Sequence, residues 1–396
     1  MTEERSDFET LIGPDRRRVR MPRGLAAWVS AVAALVAIGM VVLWPTDPPE
    51  LDLSVFGFAE DVVSAEVVMA VAGPCSYATE LDCRLFHFSI VEEPVGESVI
   101  LEFPDEPGQP SLIEGDRVFL SVTSIDDGVT DYQYADRDRR LILVLLGLVF
   151  AAAVVGLGRM RGVAAIAGLV LSVAVLLWFI LPAIVQGEDA VLVALIGGGA
   201  IALISLYLAH GYNPLTHVAA LGAFSALVLT TGMSWLVVAV AEFSGVANEE
   251  AFFLLSIPGL DLSGLLLAGI VLGAIGALDD VTVTQASAVW EVHGANPSLD
   301  SSDLYAAGLR VGRDHIVSTV NTLLLAYAGA SLPLLILFTL SAQAPGLVVS
   351  SEIVAVEIVR TLVGSIGLVA AVPMTTWLSS RAVKRVNGVA PPRTSP

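Results

Sequence analysis

Two carboxylates and several hydroxyls interrupt a long apolar stretch of the chain between Gly269 and Ser287. Asp279 and Asp280 follow an apolar run, and Thr284 lies four residues after Asp280, on the same face of a helix. Carboxylates and hydroxyls within a membrane can line the path of a cation or a proton. A helix end that water solvates at the membrane surface explains the same residues, so the local sequence leaves both interpretations open.

A second group of polar residues opens the next apolar segment. Arg310, Asp314 and Asn321 lie along one stripe of a helix, and His315 begins the neighbouring stripe. Arg310 and Asp314 can form an ion pair one turn apart, and a histidine titrates near neutral pH. A solvated ion pair, an interfacial histidine and a packing contact for Asn321 are the alternatives. We predict one polar path from both groups, with the residues Asp279, Asp280, Thr284, Arg310, Asp314, His315 and Asn321.

Glu357 and Arg360 form a third polar site. They are three residues apart in an apolar segment, so their opposite charges can meet on one face of a helix. Both also lie near the end of that segment, where a long charged side chain can reach water. We predict an intramembrane ion pair, and a paired, solvated helix end is the alternative.

Cys75 and Cys83 are the only cysteines of the chain. We predict that they form a disulfide closing a short loop, which requires that this segment lies outside the cytoplasm. Two unpaired thiols are the alternative. A structural zinc site needs four ligands, whereas the two cysteines and His87 supply only three. We therefore predict no metal and no cofactor.

The composition limits the class of protein that can hold these residues. Hydrophobic residues make up 55% of the 396 positions and charged residues 15%, and the mean hydropathy is +0.77. Soluble domains carry about 25% charged residues. This composition excludes a cytosolic enzyme, a nucleic-acid-binding protein and a fibrous protein, and it predicts an α-helical polytopic protein within a lipid bilayer.

Eight apolar segments approach the roughly 20 residues that a helix needs to cross a bilayer. Five arginines precede the first segment as in a signal peptide, but its length favours an uncleaved anchor. The sixth segment is the shortest, and Asp279 and Asp280 follow it almost directly. Pro333 and Pro373 are predicted kinks in the last two. The segments are Leu25–Trp44, Leu141–Leu157, Val163–Val185, Ala190–Ala209, Val218–Ala241, Ser263–Ala277, Ile316–Leu340 and Ile353–Leu378.

The positions of the basic residues predict the orientation of these segments. If the N-terminus is cytoplasmic and the eight helices alternate, 14 of the 20 basic residues lie in cytoplasmic pieces, as the positive-inside rule requires. Arg360 lies within a helix, and the other five lie in a long segment that can cross the membrane regardless of its charge. Both termini are therefore expected in the cytoplasm.

The long segment Pro45–Arg140 differs from the rest of the chain, because it contains 21 of the 40 acidic residues. Turn-rich pieces separate five short runs of β-branched and aromatic residues, which is typical of strands. We predict a small β-barrel outside the cytoplasm, OB-like or SH3-like. The runs are Val62–Val71, Arg84–Val91, Ser98–Phe103, Arg117–Thr123 and Thr130–Tyr134.

These expectations divide the chain into five regions. They are a cytoplasmic tail at residues 1–24, a transmembrane anchor at 25–44, an extracytoplasmic β-rich domain at 45–140, a seven-helix membrane domain at 141–380 and a cytoplasmic tail at 381–396. The outer loop between the fifth and sixth apolar segments contains the apolar run Ala251–Ile257. This run is too short to span the membrane. It is expected to form a half-helix that enters the membrane or an interfacial helix.

Several enzyme templates are absent from the sequence: a Walker A loop, an H-E-x-x-H zinc motif and a G-x-S-x-G nucleophile elbow. We expect a permease-like or transporter-like protein for an unidentified solute or ion, and not an enzyme. The alternative is a non-transporting membrane scaffold or sensor whose external β-domain binds a protein partner. An intramembrane hydrolase that uses Asp279 and a second carboxylate is a third hypothesis.

Several runs of the sequence resemble the YibE/YibF family of bacterial multi-pass membrane proteins. They are GALDDVTVTQAS at residues 276–287, VGRDHI at 311–316, NTL at 321–323, LAYAGASLP at 325–333 and EIVR at 357–360. The resemblance extends from the second apolar segment to the eighth and is weaker in the β-rich segment. It implies a location in the bacterial cell membrane, and it implies no particular substrate or reaction.

Overall fold

The structure is a computed structural model that describes residues 23–46, 61–78, 80–91, 97–125, 129–247, 249–340 and 344–387. Of the arginines predicted to precede the first helix, Arg5, Arg16, Arg17, Arg18 and Arg20 lie outside the described residues, as do Arg393 and the proline-rich tail, whereas Arg23 lies within them. Two compact units divide the chain. The β-unit comprises Glu50–Ala153, and the helical unit comprises Met1–Pro49 together with Val154–Pro396.

The β-unit contains one curled antiparallel sheet of five strands in the order β3-β2-β1-β4-β5. The prediction of five short strands is confirmed, and each observed strand overlaps its predicted run. β3 and β5, which are the two edges of the sheet, approach each other. The strands are β1 (Asp61–Pro74), β2 (Asp82–Ile90), β3 (Ser98–Pro104), β4 (Arg117–Ile125) and β5 (Val129–Arg137).

Alternation of apolar and polar residues along the strands produces the core of this sheet, because successive side chains point to opposite faces. In β2, Phe86, Phe88 and Ile90 are buried, while the residues between them are partly accessible. Val67 and Leu120 of the neighbouring strands complete the same cluster. The sheet therefore has its own hydrophobic core.

The remaining elements are helical, and their sequences are apolar over most of their length. They are α1 (Arg23–Val42), α2 (Arg140–Gly158), α3 (Met160–Val175), a π-helical turn (Leu176–Ile180), α4 (Leu181–Val185), α5 (Ala190–His210), α6 (Pro214–Ala241), α7 (Glu249–Leu254), α8 (Leu262–Ala295), α9 (Ser301–Ala330), α10 (Leu332–Leu340), α11 (Pro345–Ser350) and α12 (Glu352–Asn387).

Seven stretches of helix among the described residues are long and apolar enough to cross a membrane, counting α3 to α4 as one. An eighth consists of α9 and α10 together, which are bent by 65° at Ser331. All eight predicted segments therefore coincide with helices. The break lies two residues before Pro333, where a kink was expected, whereas Pro373 lies inside the unbroken helix α12.

Two helices extend beyond the predicted apolar segments. The sixth segment ends at Ala277, but α8 continues to Ala295, so Asp279 and Asp280 lie within the helix and not at its end. The seventh segment begins at Ile316, but α9 begins at Ser301 and includes the predicted helical stripe with Arg310 and Asp314. We call the part of each helix that lies beyond its apolar segment the polar extension. In both extensions, small or apolar residues pack against neighbouring helices. The run Ala251–Ile257 contributes to the short helix α7.

Contacts made by glycines show in which direction the helices run. Gly222 of α6 faces Thr375 of α12, and Gly367 of α12 faces Thr230 of α6, so these two helices are antiparallel. Equivalent contacts show that α1, α3, α6 and α9 run in one direction, and α5, α8 and α12 in the other. The beginning of α1 and the end of α12 therefore lie at the same end of the helical unit.

Candidate functional site

Asp279 lies near the middle of α8 and faces α5. The hydroxyl of Ser205, on α5, donates a hydrogen bond to one oxygen of its carboxylate. The other oxygen, Oδ1, is buried and has no hydrogen-bond partner among the described residues. Gly198 and Ile275 pack against each other further along the same two helices and hold them close together. A carboxylate inside the helical unit thus keeps one oxygen available.

Asp280 lies next to it but points to the other side of α8, towards α9. Its Oδ2 atom is 3.8 Å from Nε2 of His315, an ion-pair distance that is too long for a hydrogen bond. Asp280 is exposed and His315 is partly buried. The structure therefore brings together one residue from each of the two predicted polar groups.

The other residues of the predicted polar path lie elsewhere. Thr284 is exposed on α8, and Arg310, Asp314 and Asn321 are exposed on α9. Within the described part of the chain, no contact joins any of these four side chains to Asp279. Among the described residues of the predicted path, only Asp280 and His315 therefore meet across two helices, and the exposed stripe of α9 is a separate feature.

Glu357 and Arg360 are paired as predicted from their spacing, with 2.7 Å between Oε1 and Nη1. The Arg360 guanidinium also lies 5.8 Å from the centre of the Tyr327 ring, on α9. The Nε atom of Arg360 is buried without a partner in the described residues. Glu357 borders a cavity of about 200 Å³ beside the bend between α9 and α10, whose other polar lining residues are Tyr327, Ser331 and Thr361.

A disulfide joins Cys75 at the end of β1 to Cys83 in β2. Both sulfur atoms are buried, and Glu102 lies close to them. The carboxylate of Glu102 accepts hydrogen bonds from the backbone N–H and the hydroxyl of Ser76, both 2.5 Å long. The two sulfurs are bonded to each other, so they are not thiolate ligands here.

Sequence reasoning did not identify Ser205 or Tyr327 as site residues. Ser205 is one hydroxyl in a helix of apolar residues, and such a serine commonly bonds to its own backbone, as the hydroxyl of Ser205 also does to the carbonyl of Ala202. Tyr327 occurs in a run of small and apolar residues. The only signal for either was its polar atom within an apolar segment.

The arrangement at Asp279 can bind a proton or a cation. A charged carboxylate is unfavourable where water is excluded unless it is hydrogen-bonded or paired. The hydroxyl of Ser205 satisfies one oxygen only, so protonation or a bound cation would satisfy the other. Asp280 and His315 place a carboxylate and an imidazole between α8 and α9.

Comparison with protein-family models gives one match. The model of the YibE/F-like protein family covers residues 146–385, which is more than half of the chain and includes α5, α6, α8 and α9. No curated protein and no solved structure matches the chain. The matched region contains Ser205, Asp279, Asp280 and His315, as well as Glu357 and Arg360. The chain therefore belongs to the YibE/F-like protein family.

Proposed function

We propose that this chain is a permease of the bacterial cell membrane and carries a cation or proton-coupled solute along α8. The observation behind the proposal is the half-buried carboxylate of Asp279, which has one hydrogen bond from Ser205 and one buried oxygen without a partner in the described part of the chain. Ionisable side chains inside membrane-spanning helices are rare and mark ion and substrate paths. Asp280 and His315 extend the path on the α9 side.

The proposed orientation has both termini in the cytoplasm and the β-unit outside it. The antiparallel directions of the helices support it, because the start of α1 and the end of α12 lie at the same end. The distribution of basic residues favours the cytoplasm for that end. The disulfide between Cys75 and Cys83 favours an oxidising compartment for the β-unit.

Cation flux in vesicles tests the proposal directly. The purified full chain is reconstituted into liposomes that contain a pH-sensitive or a sodium-sensitive dye, and a gradient of protons or sodium ions is imposed. Asp279→Asn keeps the size and hydrogen bonding of the side chain but removes its charge, so it should abolish flux while the amount of reconstituted protein is unchanged. Ser205→Ala should reduce flux without abolishing it.

Asp303→Asn is the matched control, because Asp303 is an exposed carboxylate in the first turn of α9. It should leave flux unchanged. The assignment of Asp279 to a cation path would be contradicted if the wild type transported neither protons nor sodium ions. Equal flux through the wild type and Asp279→Asn would contradict it as well.

A partner-binding scaffold or sensor is the second candidate, and exposed apolar residues on the β-unit favour it. Val68, Met69 and Val71 of β1 are 58%, 47% and 45% exposed, and Ile100 of β3 is 56% exposed. Met69 and Ile100 flank His87 in the sheet register, so they form one row. Exposed apolar patches of this kind occur at protein interfaces.

The strand order also supports an OB-like barrel for this unit, since a five-stranded barrel closed between β3 and β5 has that connectivity. The full chain with Met69→Asp and Ile100→Asp should lose any envelope protein that co-purifies with the wild type, while the amount of the chain in the membrane is unchanged. Unchanged co-purification would count against the scaffold function.

A further inference from the structure

An exposed polar seam runs along α9. We call it the α9 seam: Arg310, Asp314, Val317, Asn321 and Leu324, all of which are exposed. Their spacing of four, three, four and three residues is the heptad spacing of helices that pack against another helix along one line. Within the described residues, the side chains of Arg310, Asp314 and Asn321 form no hydrogen bond or ion pair. The seam thus has the pattern of an interface but no partner among the residues that the structure describes.

The seam lies at the level of buried parts of the helical unit. Gly312, on the opposite side of α9, packs against Val372 of α12 and the side chain of Gln285. Val372 precedes the first basic residue at the end of α12, Arg381, by nine residues, or about 13 Å of helix. Arg310 and Asp314 are within one turn of Gly312, so they lie beside a closely packed part of the helical unit.

The helix α2 of the same chain does not complement this seam. Beyond Arg140, its residues are apolar throughout, and none of them is buried. Such a helix offers neither a carboxylate for Arg310 nor a hydrogen bond for Asn321, and its composition suits contact with lipid.

We propose that the α9 seam is the contact surface of a symmetric homodimer, in which the occupant is the same seam of a second copy. All copies of a membrane protein insert with the same orientation, so a two-fold axis along the membrane normal places two α9 helices side by side and parallel. Residue 310 of one copy then lies one turn from residue 314 of the other.

The charges of the seam are complementary to themselves in that arrangement. Arg310 and Asp314 from the two copies form a ring of four charges in which positive and negative alternate. Asn321 faces Asn321 of the second copy, and a carboxamide both donates and accepts hydrogen bonds. A polar residue at one seam position is also a feature that fixes the register of parallel two-stranded packing. Val317, 73% exposed, supplies an apolar contact between the two polar layers.

Charge exchange between two differently tagged copies tests this dimer. Co-expressed wild-type copies should co-purify in mild detergent. Arg310→Asp in both copies places four acids together, and Asp314→Arg in both places four arginines together, so each should abolish co-purification. One copy with Arg310→Asp and the other with Asp314→Arg again have alternating charges across the contact, and co-purification should return.

The mixed pair separates the dimer from an ion pair within one helix. If Arg310 and Asp314 paired only within their own chain, a variant with both Arg310→Asp and Asp314→Arg in that chain would behave like the wild type. The mixed pair would then not restore co-purification. That result, or wild-type copies that do not co-purify, would overturn the proposal.

Thiol cross-linking provides a second measurement in native membranes. Asn321→Cys should form a disulfide-linked dimer on mild oxidation, because a residue at a two-fold seam meets its own copy. The control is Val170→Cys on α3, 61% exposed and away from the seam, and it should remain monomeric. Equal cross-linking at the two positions would also refute the symmetric contact.

Discussion

The side chain of Gln285 donates a hydrogen bond of 2.7 Å to the hydroxyl of Thr376, and this bond joins α8 to α12 where both residues are buried. The same amide donates to the backbone carbonyl of Gly308 at 2.8 Å. Three helices therefore meet at one amide, which has both of its N–H groups satisfied. Gly308 and Gly312 allow α9 to approach this closely, because a side chain at either position would overlap Gln285 or its neighbours.

Gln285→Leu should lower the free energy of unfolding by about 1–3 kcal/mol, because it removes two buried hydrogen bonds while keeping most of the volume. Thermal unfolding in detergent measures the change. Thr284→Val, the adjacent exposed position, serves as the control and should change stability by no more than about 0.5 kcal/mol. Equal effects of the two substitutions would show that the amide does not join the helices.

Gly222→Ala should destabilise the packing of α6 on α12. The added methyl would overlap the hydroxyl of Thr375 and lie 3.2 Å from its Cβ. Overpacking of this kind costs about 1–3 kcal/mol. Because the clash is with one side chain, the double variant Gly222→Ala with Thr375→Ala should recover most of the loss, as a double-mutant cycle of thermal unfolding can measure.

Gly232 provides the matched control on the same helix, since nothing lies within 4 Å of an added Cβ there. Gly232→Ala should leave stability unchanged or raise it by up to about 1 kcal/mol through helix propensity. If both glycine substitutions had the same effect, the contact with Thr375 would not explain the requirement for Gly222.

Replacement of both cysteines by alanine should destabilise the β-unit by about 2–3 kcal/mol, the value expected for opening a loop of this length. Cys75 and Cys83 are almost fully buried, so alanine avoids leaving a buried hydroxyl. Hydrogen exchange of the β1 and β2 amides in the full chain should become faster. A reductant should also accelerate this exchange in the wild type, and it should have no effect on the variant. If the exchange rate of the wild type did not change with reductant, the stabilising role of the disulfide would be contradicted.

Asp300 caps α9 and should make its stability depend on acid pH. The backbone N–H of Asp303 and the hydroxyl of Ser302 donate hydrogen bonds to its carboxylate and hold its pKa below the usual value. A folded-state pKa below the unfolded one stabilises at neutral pH, and this contribution disappears as the pH falls through the folded-state value.

Asp300→Ala should therefore lower the melting temperature at about pH 7, and its difference from the wild type should shrink as the pH falls from the unfolded pKa of about 3.9 through the lower folded-state pKa. Asp300→Asn keeps a capping oxygen without the charge, so its difference from the wild type at about pH 7 should be smaller than that of Asp300→Ala and should decrease in acid by the same amount, because neither variant titrates at this position. Melting curves measured in detergent at several pH values provide the comparison. A constant difference between wild type and Asp300→Ala would refute the role of the charge.

Local patterns were sufficient to predict the five strands and the eight long apolar stretches of helix. Phe86, Phe88 and Ile90 alternate with polar residues, and that period of two identifies β2 without any knowledge of its neighbours. Apolar runs of membrane-spanning length identify the helices in the same way. The two polar extensions could not be predicted by hydropathy. Gln285 and Gly312 lie in them, and these residues are buried only because other helices pack against them.

The candidate site was predicted only in part for a similar reason. Periodicity assigns Asp280 and His315 to helix faces, but the approach of α8 to α9 decides that these residues meet. Asp279 was selected for its charge, and its partner Ser205 lies on a helix far away in sequence. The exposure of Arg310 and Asp314 depends on which face of α9 the other helices cover, which the sequence of α9 alone does not specify.

The position of α1 in the helical unit has a consequence for biosynthesis. Gly39 of α1 packs against Ile196 of α5, and Val36 packs against Gly199, yet the whole β-unit and two further spanning helices separate these partners along the chain. The ribosome therefore releases α1 long before α5 is made. In the proposed membrane topology, α1 persists until then as a solitary helix in lipid, and its sequence, in which Ser30 is the only polar residue after Arg23, suits that state.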